Sequence, residues 1–171
     1  PVISNLNAQK VLQHLESEEI AIITGSHNGE RKHIETVRKL LEKYQINESL
    51  LSCGAHRSLN PTIAEKQILD IKAPSNIISN CSGKHAGMLI LSKSLGAPLR
   101  TYLEQTHVVQ QRILGICELF LGTSIPNSNI STDGCGAPTF AGPLGNWARA
   151  YALLADTKNL PDEVAKASSS L

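Results

Sequence analysis

The segment 80–91 reads NCSGKHAGMLIL and joins a polar cluster to an apolar helix. Met88, Leu89 and Leu91 favour a helix at this point, and Gly96 is suited to end it. The cluster Cys81–His85 stands at the predicted N-terminus of the helix, where free backbone N–H groups and the helix dipole attract anions. The segment therefore predicts a group of polar side chains held at the start of a helix.

Upstream of this segment the sequence predicts three helices and one strand. Apolar residues at helical spacing favour a helix over Ala8–Glu16, and the continuous apolar run in Glu19–Thr24 favours a short buried strand. Asn60 and Pro61 suit the N-cap and first position of a short helix. Between them, a helix follows the turn at residues 25–30. Its apolar face comprises Ile34, Val37, Leu40, Leu41 and Tyr44.

Downstream of Gly96 the sequence predicts two more helices. An amphipathic helix over Leu99–Leu121 ends at Gly122, and Gly142 and Pro143 open the last one. The apolar side of the first comprises Leu103, Val109, Ile113, Ile116 and Phe120. The predicted inward face of the second comprises Leu144, Trp147, Tyr151 and Leu154. Helices alternating with short buried strands indicate a mixed α/β, or α+β, fold in a single domain over residues 1–171.

The composition excludes several classes of function. The 171 residues are 41% hydrophobic and 18% charged, as in a globular domain that buries a substantial core. A net charge of +1 provides no electrostatic footprint for nucleic acid or for an anionic membrane surface. No segment is long and apolar enough to span a bilayer, and the N-terminus lacks the layout of a signal peptide. We therefore expect a cytoplasmic protein that acts on a small molecule.

Three polar, turn-rich segments are candidates for a site, namely Ser26–Glu30, Cys81–His85 and Ser131–Gly136. Each is predicted to precede a helix, which is a position suited to a substrate carboxylate or a developing oxyanion. Helix caps and turns also require Ser, Asn, Asp and Gly. A purely structural role is therefore the alternative for each segment.

The cysteines raise the question of a metal. Cys81 and Cys135 are suited to a tetrahedral zinc site that a third donor and water would complete. Because single cysteines are among the most buried residue types, two unrelated core thiols are the alternative. Cys53 and Cys117 lie beside apolar residues and are predicted to be core thiols.

Ser26, His27 and His85 are the side chains suited to proton transfer. A histidine serves as a general base near neutral pH, and a serine serves as nucleophile or proton relay when a lysine accepts its proton. The alternatives are a capping role for Ser26 and structural hydrogen bonds for both histidines.

Taken together, residues 25–30 (GSHNGE), 80–89 (NCSGKHAGML) and 132–138 (TDGCGAP) resemble, in order and separation, the sequence blocks of class 3, rhizobial-type L-asparaginases. Residues 53–56 fit another block, and the similarity covers essentially the whole chain. The resemblance implies a fold similar to serine β-lactamases and penicillin-binding proteins. It also implies hydrolysis of L-asparagine to L-aspartate and ammonia by two Ser-Lys tandems.

The resemblance further implies that the chain is an internal fragment of such an enzyme. It places the first tandem, a Ser-x-x-Lys motif that supplies the nucleophile, just before Pro1. It matches Ser26 to the catalytic serine of the second tandem, whose lysine would lie past Leu171. The isolated chain is therefore expected to be inactive.

The same resemblance implies a zinc cofactor. Cys81, Lys84 and Cys135 correspond to the zinc ligands of the family, with a lysine amine as an unusual third ligand. Such an amine binds zinc only after it loses its proton, so the pKa of Lys84 would be strongly lowered.

The resemblance also implies a pocket for L-asparagine lined by His27, Asn28, His85 and Asp133. An anionic Asp133 suits the substrate's α-ammonium group, and helix N-termini suit its α-carboxylate. The alternatives are another β-lactamase-like amidase or glutaminase, and a non-catalytic zinc-binding domain. The sequence leaves a homodimer open and does not decide between asparagine and glutamine.

Overall fold

The computed structural model describes residues 14–156 and residue 158. Within them the chain is helix-rich, with one small sheet, and this confirms the mixed α/β class. The predicted helix over Ala8–Glu16 lies mostly outside the described residues, and residues 14–16 are not helical. The helices are α1 (Ser17–Thr24), α2 (Arg31–Lys43), α3 (Pro61–Leu69), α4 (Ser82–Ser94), α5 (Val108–Leu121) and α6 (Leu144–Ala155).

Two short strands form an antiparallel hairpin. Strand β1 (Ile130–Thr132) pairs with β2 (Pro138–Phe140), and Ser131 lies opposite Thr139. The hairpin turn comprises residues 133–137. The predicted segment Ser131–Gly136 therefore does not lead into a helix, because it forms the end of β1 and the turn that follows. Single turns of 3₁₀-helix occur at Glu48–Leu50, Asn76–Ile78 and Asn127–Asn129.

The predicted strand over Glu19–Thr24 is wrong, since these residues belong to α1. The residues at the start of α1 favour a helix over a strand. Glu16 and Glu19 form a reciprocal capping box, in which the Glu16 N–H donates to Glu19 Oε2 at 2.8 Å. Only Ile22 of the apolar run is buried. A run of four apolar residues has too little periodicity to distinguish a short buried strand from a helix.

Three predicted helices are confirmed. In α2, Val37, Leu40 and Leu41 are buried, as their spacing requires. Helix α3 begins with Asn60 as N-cap, whose side chain accepts hydrogen bonds from the backbone N–H groups of residues 62 and 63, and with Pro61 as first residue. Helix α4 ends at Ser94, close to the predicted stop at Gly96.

The last two helices differ from the predictions. Helix α5 begins at Val108 rather than Leu99, because His107 caps it by accepting a hydrogen bond from the Val109 N–H. Residues 99–107 form turns instead. In α6 the predicted inward face is partly wrong, since Leu144 and Tyr151 are 84% and 70% exposed. Trp147 and Leu154 are half-buried, and the buried residue of this helix is Ala150.

Helix α4 lies at the centre of the main core. Eight of its residues are buried, and it packs against α1, α2 and α5. Gly83 and Gly87 bring it close to α1, since a Cβ on Gly83 would overlap the carbonyl oxygen of Ile22. A Cβ on Gly87 would lie 2.7 Å from Ile23 Cγ2. No helix within the described ranges is long and apolar enough to cross a membrane.

We expect Gly83→Ala to destabilise the protein by about 1–3 kcal/mol or more, because α4 would have to move away from the α1 backbone. Gly145→Ala is the matched control, since no atom lies within 4 Å of a Cβ at this helical position. The control should be neutral or stabilising by up to about 1 kcal/mol. Urea denaturation measures both free energies of unfolding, and equal values would contradict the close packing.

Candidate active site

The N-terminus of α4 connects two of the predicted polar segments. The Asn80 carbonyl accepts a hydrogen bond from the His27 N–H at 3.2 Å, and the Ser82 hydroxyl lies 3.0 Å from His27 Nε2. His56 Nε2 accepts from the Asn80 N–H at 3.0 Å, which ties the segment 53–56 to the same point. The matched sequence blocks therefore meet around the first turn of this helix.

His27 is 6% exposed, and both of its ring nitrogens have partners within the protein. Its Nδ1 accepts from the Gly29 N–H at 3.1 Å, so the ring proton is on Nε2 and faces the Ser82 hydroxyl. Burial, followed by the nearby His33 and His56, lowers the pKa of His27 to about 4. The structure therefore places His27 as a neutral residue that holds the loop after α1.

Ser26 lies on the open side of the same loop and is exposed. It lines a cavity of about 270 Å³, and no described residue forms a hydrogen bond with its hydroxyl. The alternative that Ser26 caps a helix is wrong, because the N-cap of α2 is Glu30, which forms a capping box with His33. The cavity is lined by Glu18, Ala21, Ile22, Gly25, Ser26, His27, Lys32, His33 and Thr36.

Among the described residues, Asn28 is not one of those that line the cavity of Ser26. Its side chain is exposed and reaches Glu30 Oε1 at 3.5 Å, while its carbonyl accepts from the Ser58 hydroxyl at 2.7 Å. Asn28 thus fixes the loop against the residues before α3.

A second group of predicted residues meets at the hairpin turn. Lys84 Nζ lies 3.1 Å from Asp133 Oδ2, with both side chains partly exposed. Asp133 Oδ1 accepts from the backbone N–H groups of Cys135 (2.9 Å) and Ala137 (3.1 Å), and from the Cys135 thiol at 2.9 Å. The carboxylate is therefore held firmly, with one oxygen used by the turn and the other facing the ammonium group.

The electrostatics of this pair favour the charged forms. Burial alone raises the pKa of Asp133, but hydrogen bonds from Cys135 and Lys84 outweigh it and lower the pKa to about 2. Burial alone lowers the pKa of Lys84, but interactions with Cys135 and Asp133, and the charge interaction with Cys81, outweigh it and raise the pKa. The lysine is thus an ammonium ion, in contrast to the lowered pKa that the resemblance implies for a zinc ligand.

His85 is fully buried beside the same turn. Its Nε2 lies 3.1 Å from the Cys135 sulphur, and its Nδ1 lies 2.7 Å from the Tyr102 hydroxyl. Burial, followed by the charge of Lys84, lowers the pKa of His85 to about 4. His85 is consequently neutral and enclosed between two side chains of the protein.

Two of the predicted metal ligands, Lys84 and Cys135, share the Asp133 carboxylate, and the third, Cys81, is the N-cap residue of α4. Within residues 14–156 no group of three or more His, Cys, Asp or Glu side chains is arranged to hold a metal. A metal at this point therefore requires the Lys84 amine as a donor. Cys53 is a core thiol, as predicted, and it donates to the Asn76 carbonyl at 3.1 Å.

With this geometry in view, sequence comparison identifies the family. The chain matches the sequence model of the L-asparaginase II family over residues 2–170. It belongs to the L-asparaginase II family. No curated protein matches the chain at a significant level. Family membership supports an asparaginase-type amidohydrolase and agrees with the expectation drawn from the three sequence blocks.

The surroundings of the predicted residues include side chains that the sequence patterns did not single out. Tyr102 contacts His85, Ser82 contacts His27, and Lys32 and His33 line the cavity of Ser26. Nothing near Tyr102 in the sequence marks it, because its partners are 17 and 50 residues away. Lys32 is exposed on the amphipathic helix α2, and half-buried His33 lies one turn before the buried Val37, at the edge of the apolar face.

We expect His27→Gln to reduce the dependence of stability on pH. Between pH 6.5 and about 4 the unfolded chain binds a proton at His27 and the folded chain does not, so acidification favours unfolding over that range. The slope from one such group is at most about 1.4 kcal/mol per pH unit. Glutamine does not titrate, and its amide still donates to Ser82. Urea unfolding at several pH values compares the two proteins, and parallel curves would show that the pKa of His27 is the same in the folded and unfolded states.

Proposed function

We propose that the protein hydrolyses L-asparagine to L-aspartate and ammonia, with Ser26 as a catalytic residue and Asp133 as a substrate-binding residue. The family match over residues 2–170 carries the proposal. The class 3 assignment and a fold similar to serine β-lactamases belong to the same proposal, supported by the three blocks that converge on α4. Hydrolysis of glutamine by a site of the same kind is the alternative.

Asp133 has the properties that an α-ammonium group requires. Its pKa of about 2 keeps the carboxylate charged at neutral pH, and it is partly exposed rather than sealed in the core. Its Oδ1 is fully engaged by the hairpin turn. The oxygen available to a ligand is therefore Oδ2, where a substrate ammonium would compete with Lys84.

Ser26 has the exposure that a reacting group requires. Its hydroxyl faces a cavity large enough for a small amino acid, and no structural contact within the described residues occupies it. Lys32 lines this cavity too, but it is 78% exposed and its Nζ lies 3.3 Å from Glu18 Oε1. An exposed, ion-paired ammonium is a poor proton acceptor. We therefore propose that the lysine that activates Ser26 is a different one, as in the Ser-Lys tandem that the resemblance implies.

The chemistry of Cys81, Lys84 and Cys135 fits zinc, since two thiolates and an amine are acceptable donors and both Lys84 and Cys135 contact Asp133. The fit requires Lys84 to lose its proton and to leave Asp133. Burial raises the pKa of the Cys135 thiol, and its hydrogen bond to Asp133 adds to that effect, so binding would release protons from this residue also. Bound zinc would supply a Lewis acid beside Asp133.

We expect Ser26→Ala to lower kcat for asparagine at least about 100-fold. Because the hydroxyl has no hydrogen-bond partner among the described residues, the free energy of unfolding should change by no more than about 0.5 kcal/mol. Ser124→Ala, at an exposed serine that follows α5, is the control and should retain activity. Ammonia release gives kcat and thermal melting gives stability. Both variants are made in a protein that includes both Ser-Lys tandems. An active Ser26→Ala form would exclude a catalytic role, and an inactive unmutated form of that protein would exclude the proposed reaction.

We expect the protein to bind one zinc ion per chain, and Cys135→Ala to abolish binding. Cys117→Ala is the matched control, since Cys117 packs in a separate apolar cluster between α5 and α6. Equilibrium dialysis with zinc, followed by metal analysis, measures the stoichiometry. Retention of zinc by Cys135→Ala, or its absence from the unmutated protein, would contradict this site.

A further inference from the structure

Tyr102 lies outside all three polar segments, yet its hydroxyl is connected to Asp133 through hydrogen bonds of His85 and Cys135. It is 1% exposed, and its backbone carbonyl accepts from Gln110 Nε2 at 2.8 Å. Its ring meets the His85 ring edge-on, with centroids 5.6 Å apart and an interplanar angle of 88°. The phenol is therefore fixed in position from both its backbone and its ring.

The hydrogen bonds of Tyr102 determine where the His85 proton lies. The Ser52 N–H donates to the Tyr102 oxygen at 3.0 Å. A phenol has a single proton of its own, and the described neighbour left to accept it is His85 Nδ1, at 2.7 Å. Burial raises the pKa of Tyr102 to about 12, so the phenol retains this proton. Since Nδ1 accepts, the proton of the neutral imidazole is on Nε2.

The opposite end of the network leads independently to the same tautomer. The Cys135 sulphur lies 2.9 Å from Asp133 Oδ1 and 3.1 Å from His85 Nε2. A carboxylate only accepts, so any proton between the sulphur and Asp133 points to Asp133, and both a thiol and a thiolate are acceptors toward His85 Nε2. The sulphur then accepts from His85, which again requires the Nε2–H tautomer. Both ends of the network thus specify one arrangement of protons.

We propose that Tyr102 is a positioning residue of the site, which holds His85 as the Nε2–H tautomer and so aims a fixed N–H at the Cys135 sulphur. Through Cys135 this arrangement holds the turn that presents Asp133. The effect on turnover rests on the proposed function, whereas the tautomer does not. A side chain that merely filled the core would leave the proton of His85 unaffected.

Tyr102→Phe tests the tautomer, because it removes one oxygen and keeps the ring. Two-bond ¹H–¹⁵N NMR correlations of ¹⁵N-histidine-labelled protein should show His85 as the Nε2–H form, with a rising fraction of the Nδ1–H form in the variant. Tyr151→Phe, at a tyrosine that is 70% exposed, is the control and should leave the spectrum of His85 unchanged. An Nδ1–H form in the unmutated protein, or unchanged ¹⁵N shifts of His85 in Tyr102→Phe, would overturn the proposal.

Turnover tests whether Tyr102 acts through His85. We expect Tyr102→Phe to lower kcat for asparagine about tenfold, as removal of an outer hydrogen-bond partner typically does. In a His85→Gln background, the same substitution should change kcat less than twofold. Equal losses in both backgrounds would overturn the route through His85. Turnover is measured in a protein that includes both Ser-Lys tandems. If that protein does not hydrolyse asparagine, the proposed function fails, and the NMR measurement still decides the tautomer.

Discussion

The close contact between α4 and α1 is the constraint on which the site depends. Gly83 and Gly87 are four residues apart and face the same way, so the two helix backbones approach at a distance that no larger side chain permits. This contact places the first turn of α4 beside the loop that follows α1. His27 can then bond to both Asn80 and Ser82, and these hydrogen bonds hold the loop that bears Ser26 against α4.

The first turn of α4 contacts four different parts of the protein. Successive helical residues are about 100° apart, so residues 82–85 cover the whole circumference of the helix. Ser82 meets His27, Gly83 meets α1, Lys84 meets Asp133, and His85 meets both Tyr102 and Cys135. Each of the four residues in the SGKH sequence therefore contacts a different part of the protein. A shift of α4 would therefore disturb the Ser26 cavity and the Asp133 network together.

The sequence predicted those parts of the structure that local signals determine. Helices α2, α3 and α4 followed from apolar spacing, the Asn60 cap and the glycine stop, because capping and periodicity act within a few residues. The strand expected over Glu19–Thr24 failed because its apolar run was short and the capping box at Glu16 decided the conformation. The start of α5 was missed since His107 is an uncommon N-cap.

The sequence predicted a set of candidate site residues but not how these residues are arranged in space. The three blocks indicated Lys84, His85, Asp133 and Cys135, which do meet, whereas spacing alone could not show that Ser26 lines a cavity with residues of α1 and α2. The order of protons along the network also depends on contacts across as many as 50 residues. Long-range contacts of this kind have no local signature in the sequence.

The two oxygens of Asp133 have different partners, and this difference would allow Asp133 to bind a charged ligand while the hairpin keeps its conformation. Oδ1 receives its hydrogen bonds from the turn itself, so the hairpin keeps its conformation whatever occupies Oδ2. His85 is neutral, which leaves Lys84 and Asp133 as one balanced ion pair that is partly open to solvent. An incoming ammonium group at Oδ2 would compete with Lys84 for the carboxylate. Because the Lys84 side chain is 41% exposed, water can solvate the displaced ammonium group. The exchange therefore avoids leaving an unpaired buried charge, which would cost far more than the single hydrogen bond that is lost.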